Sequence, residues 1–182
     1  QIINQEFKYE IISNNENIVN FNDFIKIEQD YLINQIDLNE GIAKTQILKQ
    51  NIFLSFIAIL GKIPLIIYGK PGSGKSLSAQ LIYKSMQGKY SKNRFFQQFP
   101  EVIPTYFKCK GTTNSKDIEN LFTIASKKLE HNKKESVVPL VIVDELGLIE
   151  HSISNPLNIL KHKLKYENSG ISFIGISNYN LD

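Results

Sequence analysis

The apolar positions along the chain change period several times, and each change predicts an element. Between Ala43 and Leu60, Ile47, Leu48, Ile52, Leu54, Phe56, Ile57 and Ile59 predict a largely buried helix. Gly61 is its expected stop, with Pro64 just beyond. The stretch "IPLIIYG" that follows is short, β-branched and apolar on both faces, which predicts a central strand of a parallel sheet. Residues Ser76 to Met86 read as a helix and Val102 to Cys109 as a second strand. The run "NSKDIENLFTIASKKLEH" predicts a long amphipathic helix: Asn114 can cap it, Asp117 sits in its first turn, and Ile118, Leu121, Phe122, Ala125 and Leu129 share a face. "VVPLVIVDE" predicts a third buried strand, "PLNILKHKLK" a helix with Pro156 in its first turn, and "GISFIGISN" a fourth strand. Residues 1–34 carry only weak periodicity, with "FKYEII" a candidate short strand.

Strands that alternate with helices predict an α/β fold: a parallel sheet with helices on both faces. In such sheets ligands bind beyond the carboxyl ends of the strands. Three polar clusters fall at such ends, after Tyr68, after Val143 and after Ile176.

The first cluster is "GKPGSGKS", Gly69 to Ser76, which matches the P-loop pattern G-x-x-x-x-G-K-[ST] between a strand and a helix. Glycines let the backbone turn its N–H groups toward a phosphate, and the helix that starts there adds its positive dipole end. Gly69, Lys70, Pro71, Gly72, Ser73, Gly74, Lys75, Ser76 and Leu77 are therefore the expected nucleotide-binding residues. Lys75 would reach the outer phosphates, and the Ser76 hydroxyl would ligate Mg²⁺. The second cluster ends the strand "LVIVDE": Asp144 can hold Mg²⁺, and Glu145 can polarise the attacking water. The third is Asn178, a neutral amide that can position the water or contact the γ-phosphate. An asparagine at a strand end is also a common turn former.

Bulk properties narrow the class. The 182 residues are enough for one domain with a real core, and the apolar fraction of 42% is ordinary. The net charge of +3 is weak, and without a concentrated basic face no nucleic-acid partner is expected. The lysine-rich "KSMQGKYSKNR" reads as a solvated loop, and its Arg94, the only arginine, as a surface residue. One cysteine, Cys109, excludes an internal disulfide framework and lies in an apolar stretch, which predicts a buried thiol. His131, His151 and His162 are far apart and cannot assemble a zinc motif. The apolar segment around residues 52–69 is interrupted by Gly61, Lys62 and Pro64, so no transmembrane span is expected. The start has no signal-peptide layout, and the chain reads as an interior piece of something longer.

"DELG" at Asp144 to Gly147 also satisfies the D-x-x-G pattern of a GTPase. The N-K-x-D element that reads guanine has no match, since "NKKE" at Asn132 ends in the wrong residue and precedes a strand. An AAA+ ATPase carries the three clusters in the order seen here. The pieces "LNEGIA", "IPLIIYGKPGSGKSLS", "SMQG", "VVPLVIVDELGL", "PLNILKHKL" and "FIGISNYNLD" resemble an AAA+ module of the mysterin family, giant RING-finger ubiquitin ligases with a dynein-like AAA+ core. The resemblance runs from about Leu38 to Asp182, which leaves 1–37 as a flanking segment.

The resemblance implies Lys75 and Ser76 as the P-loop pair, Asp144 and Glu145 as the Walker B pair, and Asn178 as the sensor. It implies ATP and Mg²⁺ as ligands and ATP hydrolysis as the reaction, with Glu145, Lys75 and Asn178 catalytic. It implies a large cytoplasmic parent protein, neighbouring AAA+ modules of the same chain as partners, and ubiquitin-pathway proteins beyond them. In the family's pattern the last strand, the arginine finger and the helical lid come after Asp182. A module that binds nucleotide without turnover, as a spacer in a larger ring, is the alternative reading, and Glu145 speaks against it.

Overall fold

The computed structural model describes residues 21–131, 136–149, 152, 155–166 and 170–178. The candidate strand "FKYEII" lies outside them. The chain begins its described course with helix α1 (Phe21–Gln35), followed by α2 (Gln46–Gly61), strand β1 (Leu65–Tyr68) and α3 (Lys75–Ser85). A one-turn helix α4 (Arg94–Gln97) leads to β2 (Glu101–Lys108), α5 (Ser115–His131), β3 (Val137–Asp144), α6 (Pro156–Tyr166) and β4 (Ser172–Ser177). The four strands form one parallel sheet in the order β1-β4-β3-β2.

The central strands β3 and β4 are apolar on both faces because both faces are covered. Leu140 and Ile142 of β3 and Ile174 and Ile176 of β4 pack with Ile52 and Ile59 of α2, Ile82 of α3, and Leu32 and Ile33 of α1. The alternate residues Val141, Val143 and Phe173 face Ile118, Leu121, Phe122 and Ala125 of α5 and Leu160 of α6. The odd and even positions of one strand thus feed two separate cores, the expected consequence of the two-residue period.

Helix ends follow their local chemistry. The Thr45 side chain accepts from Leu48 N at 3.2 Å and caps α2. Asn114 Oδ1 accepts from the backbone N–H groups of Lys116 and Asp117, while Asp117 Oδ2 accepts from Asn114 N at 2.9 Å, a reciprocal cap on α5.

Three expectations need correction. β1 is an edge strand among the described residues, not a central one: it pairs only with β4, and Ile66 and Tyr68 are 46% and 62% exposed. A four-residue apolar run matches either position, so its pattern could not decide. The left-handed residue that ends α2 is Lys62 (φ 53°), with Gly61 still helical. The stretch 84–94 is more than a solvated loop. Its charged side chains Lys84, Lys89, Lys92 and Arg94 are exposed. Met86 and Ser91 are nonetheless buried, and Met86 O accepts from Val102 N at 2.9 Å. Helix α1 had no clear sequence signal. It meets the core through Leu32 and Ile33, with Ile36 just past its end.

Candidate nucleotide site at the carboxyl edge of the sheet

Because all four strands are parallel, the loops after β1, β3 and β4 leave the sheet at one edge. β4 lies between β1 and β3, so the residue after β4 arrives between the glycine-rich loop and the acidic pair. Gly69 N donates to Ser177 O at 3.3 Å, which ties the start of the loop to the end of β4. Cys109 N donates to Asp144 O at 2.8 Å and ties the end of β2 to that of β3.

The loop turns through two left-handed glycines, Gly72 (φ 78°) and Gly74 (φ 80°). Gly74 is the N-cap of α3. A Cβ at Gly72 would meet nothing within 4 Å, whereas one at Gly74 would meet Leu48 Cδ1 at 3.4 Å. Gly72 is thus required by its backbone conformation alone, and Gly74 also lies against α2. Lys75 opens α3 and is only 6% exposed. Its ammonium donates to Gly69 O at 2.7 Å, to Lys70 O at 2.8 Å and to Ser73 Oγ at 3.5 Å. These three acceptors compensate a buried charge, and they hold the ammonium inside the curve of the loop.

Ser76 Oγ donates to Asp144 Oδ2 at 3.0 Å. The parallel sheet thus joins residues 68 apart in sequence. Asp144 is buried, and its second oxygen accepts from Glu145 N at 2.8 Å. Glu145 itself takes a left-handed backbone (φ 56°), where β3 breaks into the 3-10 turn Leu146–Ile149. Asn178 Nδ2 donates to Glu145 Oε2 at 2.7 Å. Lys75, Ser76, Asp144, Glu145 and Asn178 are therefore gathered at one edge. Leu77 lines a cavity of about 380 Å³ with Asn39, Ile42, Gln80, Leu81 and Lys84.

One residue in this network was not anticipated. The Tyr106 hydroxyl donates to Asp144 Oδ2 at 2.6 Å. Tyr106 pairs with Ile142 in the β2–β3 register, so it sits on the face of Asp144, two residues back on the neighbouring strand. Burial and the Asp144 carboxylate beside it raise the phenol's pKa above its ordinary value. In sequence Tyr106 is an ordinary strand aromatic, and only the register could single it out. Cys109, 1% exposed at the end of β2, has its thiol pushed up to about 12, by burial first and then by the charges of Asp144, Asp117 and Glu145.

The donor set fits a hard cation. Mg²⁺ prefers a hydroxyl and a carboxylate completed by water and phosphate oxygens over an all-protein cage, and Ser76 and Asp144 offer that pair. Among the described residues no group of three or more His, Cys, Asp or Glu side chains is placed to hold a metal by itself. Among the described residues no helix is long and apolar enough to cross a membrane.

Comparison with known proteins gives the family. The chain is 34% identical over 164 residues to the zebrafish (Danio rerio) E3 ubiquitin-protein ligase rnf213-beta, covering 85% of this chain and 3% of that protein. It is 32% identical over 168 residues to the human E3 ubiquitin-protein ligase RNF213, covering 88% of this chain and again 3% of the relative. It therefore spans only a small part of the length of these relatives. The structure of C. elegans PCH-2 aligns with a TM-score of 0.45 at 14% identity, over 85% of this chain and 42% of that one. The family described as the RNF213 AAA domain matches residues 41–182. The chain belongs to that family and is a mysterin-like, nucleotide-binding AAA+ module with a P-loop NTPase fold.

Proposed function

We propose that this module binds ATP with Mg²⁺ at the carboxyl edge of its sheet and hydrolyses it. The observation that carries the reading is the Ser76–Asp144 hydrogen bond of 3.0 Å, which joins the two halves of a magnesium site beside a lysine folded into a glycine-rich loop. The backbone N–H groups of residues 69–77 and the start of α3 would cradle the phosphates. The Lys75 ammonium would exchange its carbonyl partners for phosphate oxygens. Leu77 and Ile42 offer apolar atoms to the base. Ser76 and Asp144 would hold the ion, which supplies positive charge to the phosphate oxygens.

Glu145 is the proposed base. Water attacks the γ-phosphorus, the bond to the β–γ bridging oxygen breaks, and the water's proton passes to the Glu145 carboxylate. The Asn178 amide, already on Oε2, leaves Oε1 for the water. We assign residues 38–182 to the AAA+ core and place the module in a large cytoplasmic ubiquitin ligase, beside neighbouring AAA+ modules of the same chain. This larger setting rests on the relatives alone.

The test is turnover in the intact protein. Glu145→Gln keeps the shape and removes the basic oxygen, so ATP binding is retained and hydrolysis falls by at least about a hundredfold. Hydrolysis at the wild-type rate in Glu145→Gln would assign the base elsewhere. Absence of hydrolysis in the wild type, with binding intact, would favour the nucleotide-binding spacer.

A further inference from the structure

Asp144 is a buried carboxylate with three donors: Ser76 Oγ and Tyr106 OH on Oδ2, and Glu145 N on Oδ1. The three differ in what happens when a cation arrives. The Ser76 hydroxyl would turn its oxygen to the ion and loosen its hold on Asp144. The Glu145 N–H belongs to the backbone and stays. A phenol is not a ligand for Mg²⁺ in this donor set, so Tyr106 also stays.

Tyr106 is poorly explained as a packing residue. It stands on β2, an edge strand of the described sheet, and is 55% exposed, while its hydroxyl is committed to Asp144 at 2.6 Å. An aromatic of that reach can bridge diagonally to the neighbouring strand, and a hydrogen bond to a carboxylate is stronger than a neutral one.

We propose that Tyr106 is a positioning residue for the magnesium site: its phenol O–H fixes the Asp144 carboxylate in the orientation that the ion needs, before and after Ser76 is drawn away. The proposal rests on the reading of Ser76 and Asp144 as the ion's ligands. It assigns to β2 a part in ion binding that the P-loop, the acidic pair and Asn178 do not cover.

The test uses Tyr106→Phe, which removes one oxygen and keeps the ring. A fluorescent ATP analogue is titrated into the full chain of wild type and variant, in EDTA and across a Mg²⁺ series, with thermal melts of both. The expected result is unchanged melting, unchanged affinity in EDTA, and about a tenfold rise in the Mg²⁺ concentration at half-maximal enhancement, the order of one lost hydrogen bond to a charged group. A Mg²⁺ dependence equal to that of wild type would overturn the proposal. So would an equal loss of affinity with and without the ion, since that is what a merely structural role would give. Failure of the wild type to bind nucleotide in either condition would overturn the ion-site reading and this proposal with it. Mg²⁺-dependent binding by wild type, with no difference in Tyr106→Phe, would overturn this proposal alone.

Discussion

Asn178 and Glu145 leave adjacent strands and meet at 2.7 Å, amide nitrogen to carboxylate oxygen. Glu145 holds a left-handed backbone, a conformation that costs a non-glycine residue on the order of 1 kcal/mol, and the Asn178 contact fixes its side chain. Asn178→Ala should lower turnover about tenfold, the order of one lost hydrogen bond to a charged group, and leave nucleotide affinity nearly unchanged. Asn178→Asp goes further. It sets two carboxylates in contact, so one of them keeps its proton to higher pH. The rate profile of that variant should shift toward alkaline pH. A wild-type profile in Asn178→Asp would mean that the contact has no part in the reaction.

Cys109 gives a prediction about reactivity and pH. Its thiol is buried and pushed up to about 12 from an ordinary value of 9.0. The thiolate is the nucleophile, so iodoacetamide should label the native chain slowly at pH 8 and the urea-unfolded chain fast. The sign of the stability effect follows from the raised value. Between the unfolded and folded pKa the native state holds the proton that the unfolded state has released, so the contribution is complete below pH 9 and is lost as pH rises toward 12. Tyr106, also raised, adds to the loss in the same direction at higher pH. Cys109→Ala should flatten the part of this decline nearest pH 9, as read by urea unfolding across pH. An identical decline in the variant would assign it to other groups.

Ser55 lies in the middle of α2, fully buried, and its Oγ has no hydrogen-bond partner among the described residues. An unsatisfied buried hydroxyl costs about 1–3 kcal/mol. Ser55→Ala removes it, adds helix propensity and creates no large cavity. The variant should be more stable by about 1 kcal/mol in urea unfolding. A loss of stability would show that the hydroxyl has a partner after all.

The alternation of strands and helices was legible because the central strands β3 and β4 face a core on each side, and "LVIV" and "FIGI" can be little else. The glycine-rich loop, Lys75, Ser76, Asp144 and Glu145 stood out as candidates because the motifs fix residue type and spacing, and the structure brings them to one edge of the sheet. Helix α1 was not, since Leu32 and Ile33 are its only fully buried apolar residues, while Phe21, Ile27 and Tyr31 are exposed. The edge position of β1 was not, since pairing order is a property of the whole sheet. Tyr106 was hidden for the same reason. Its contact depends on Tyr106 standing opposite Ile142, and a slip of one residue would have turned it to the other face.

The central claim is that the loop from Gly69 to Ser76 holds the phosphates of a nucleotide, with the Lys75 ammonium among them. Lys75 now bonds two loop carbonyls and a serine hydroxyl at 2.7, 2.8 and 3.5 Å, so the variant Lys75→Ala removes the charge without breaking an ion pair to an acidic side chain among the described residues. Calorimetric titration of ATP with Mg²⁺ into wild type and Lys75→Ala measures the claim directly. The account predicts saturable binding by wild type, a loss of about a hundredfold in the variant, the upper range for a hydrogen bond to a charged group, and weaker binding of GTP than of ATP. Equal affinity in the two proteins would contradict the phosphate cradle, and GTP bound clearly more tightly than ATP would contradict the AAA+ site.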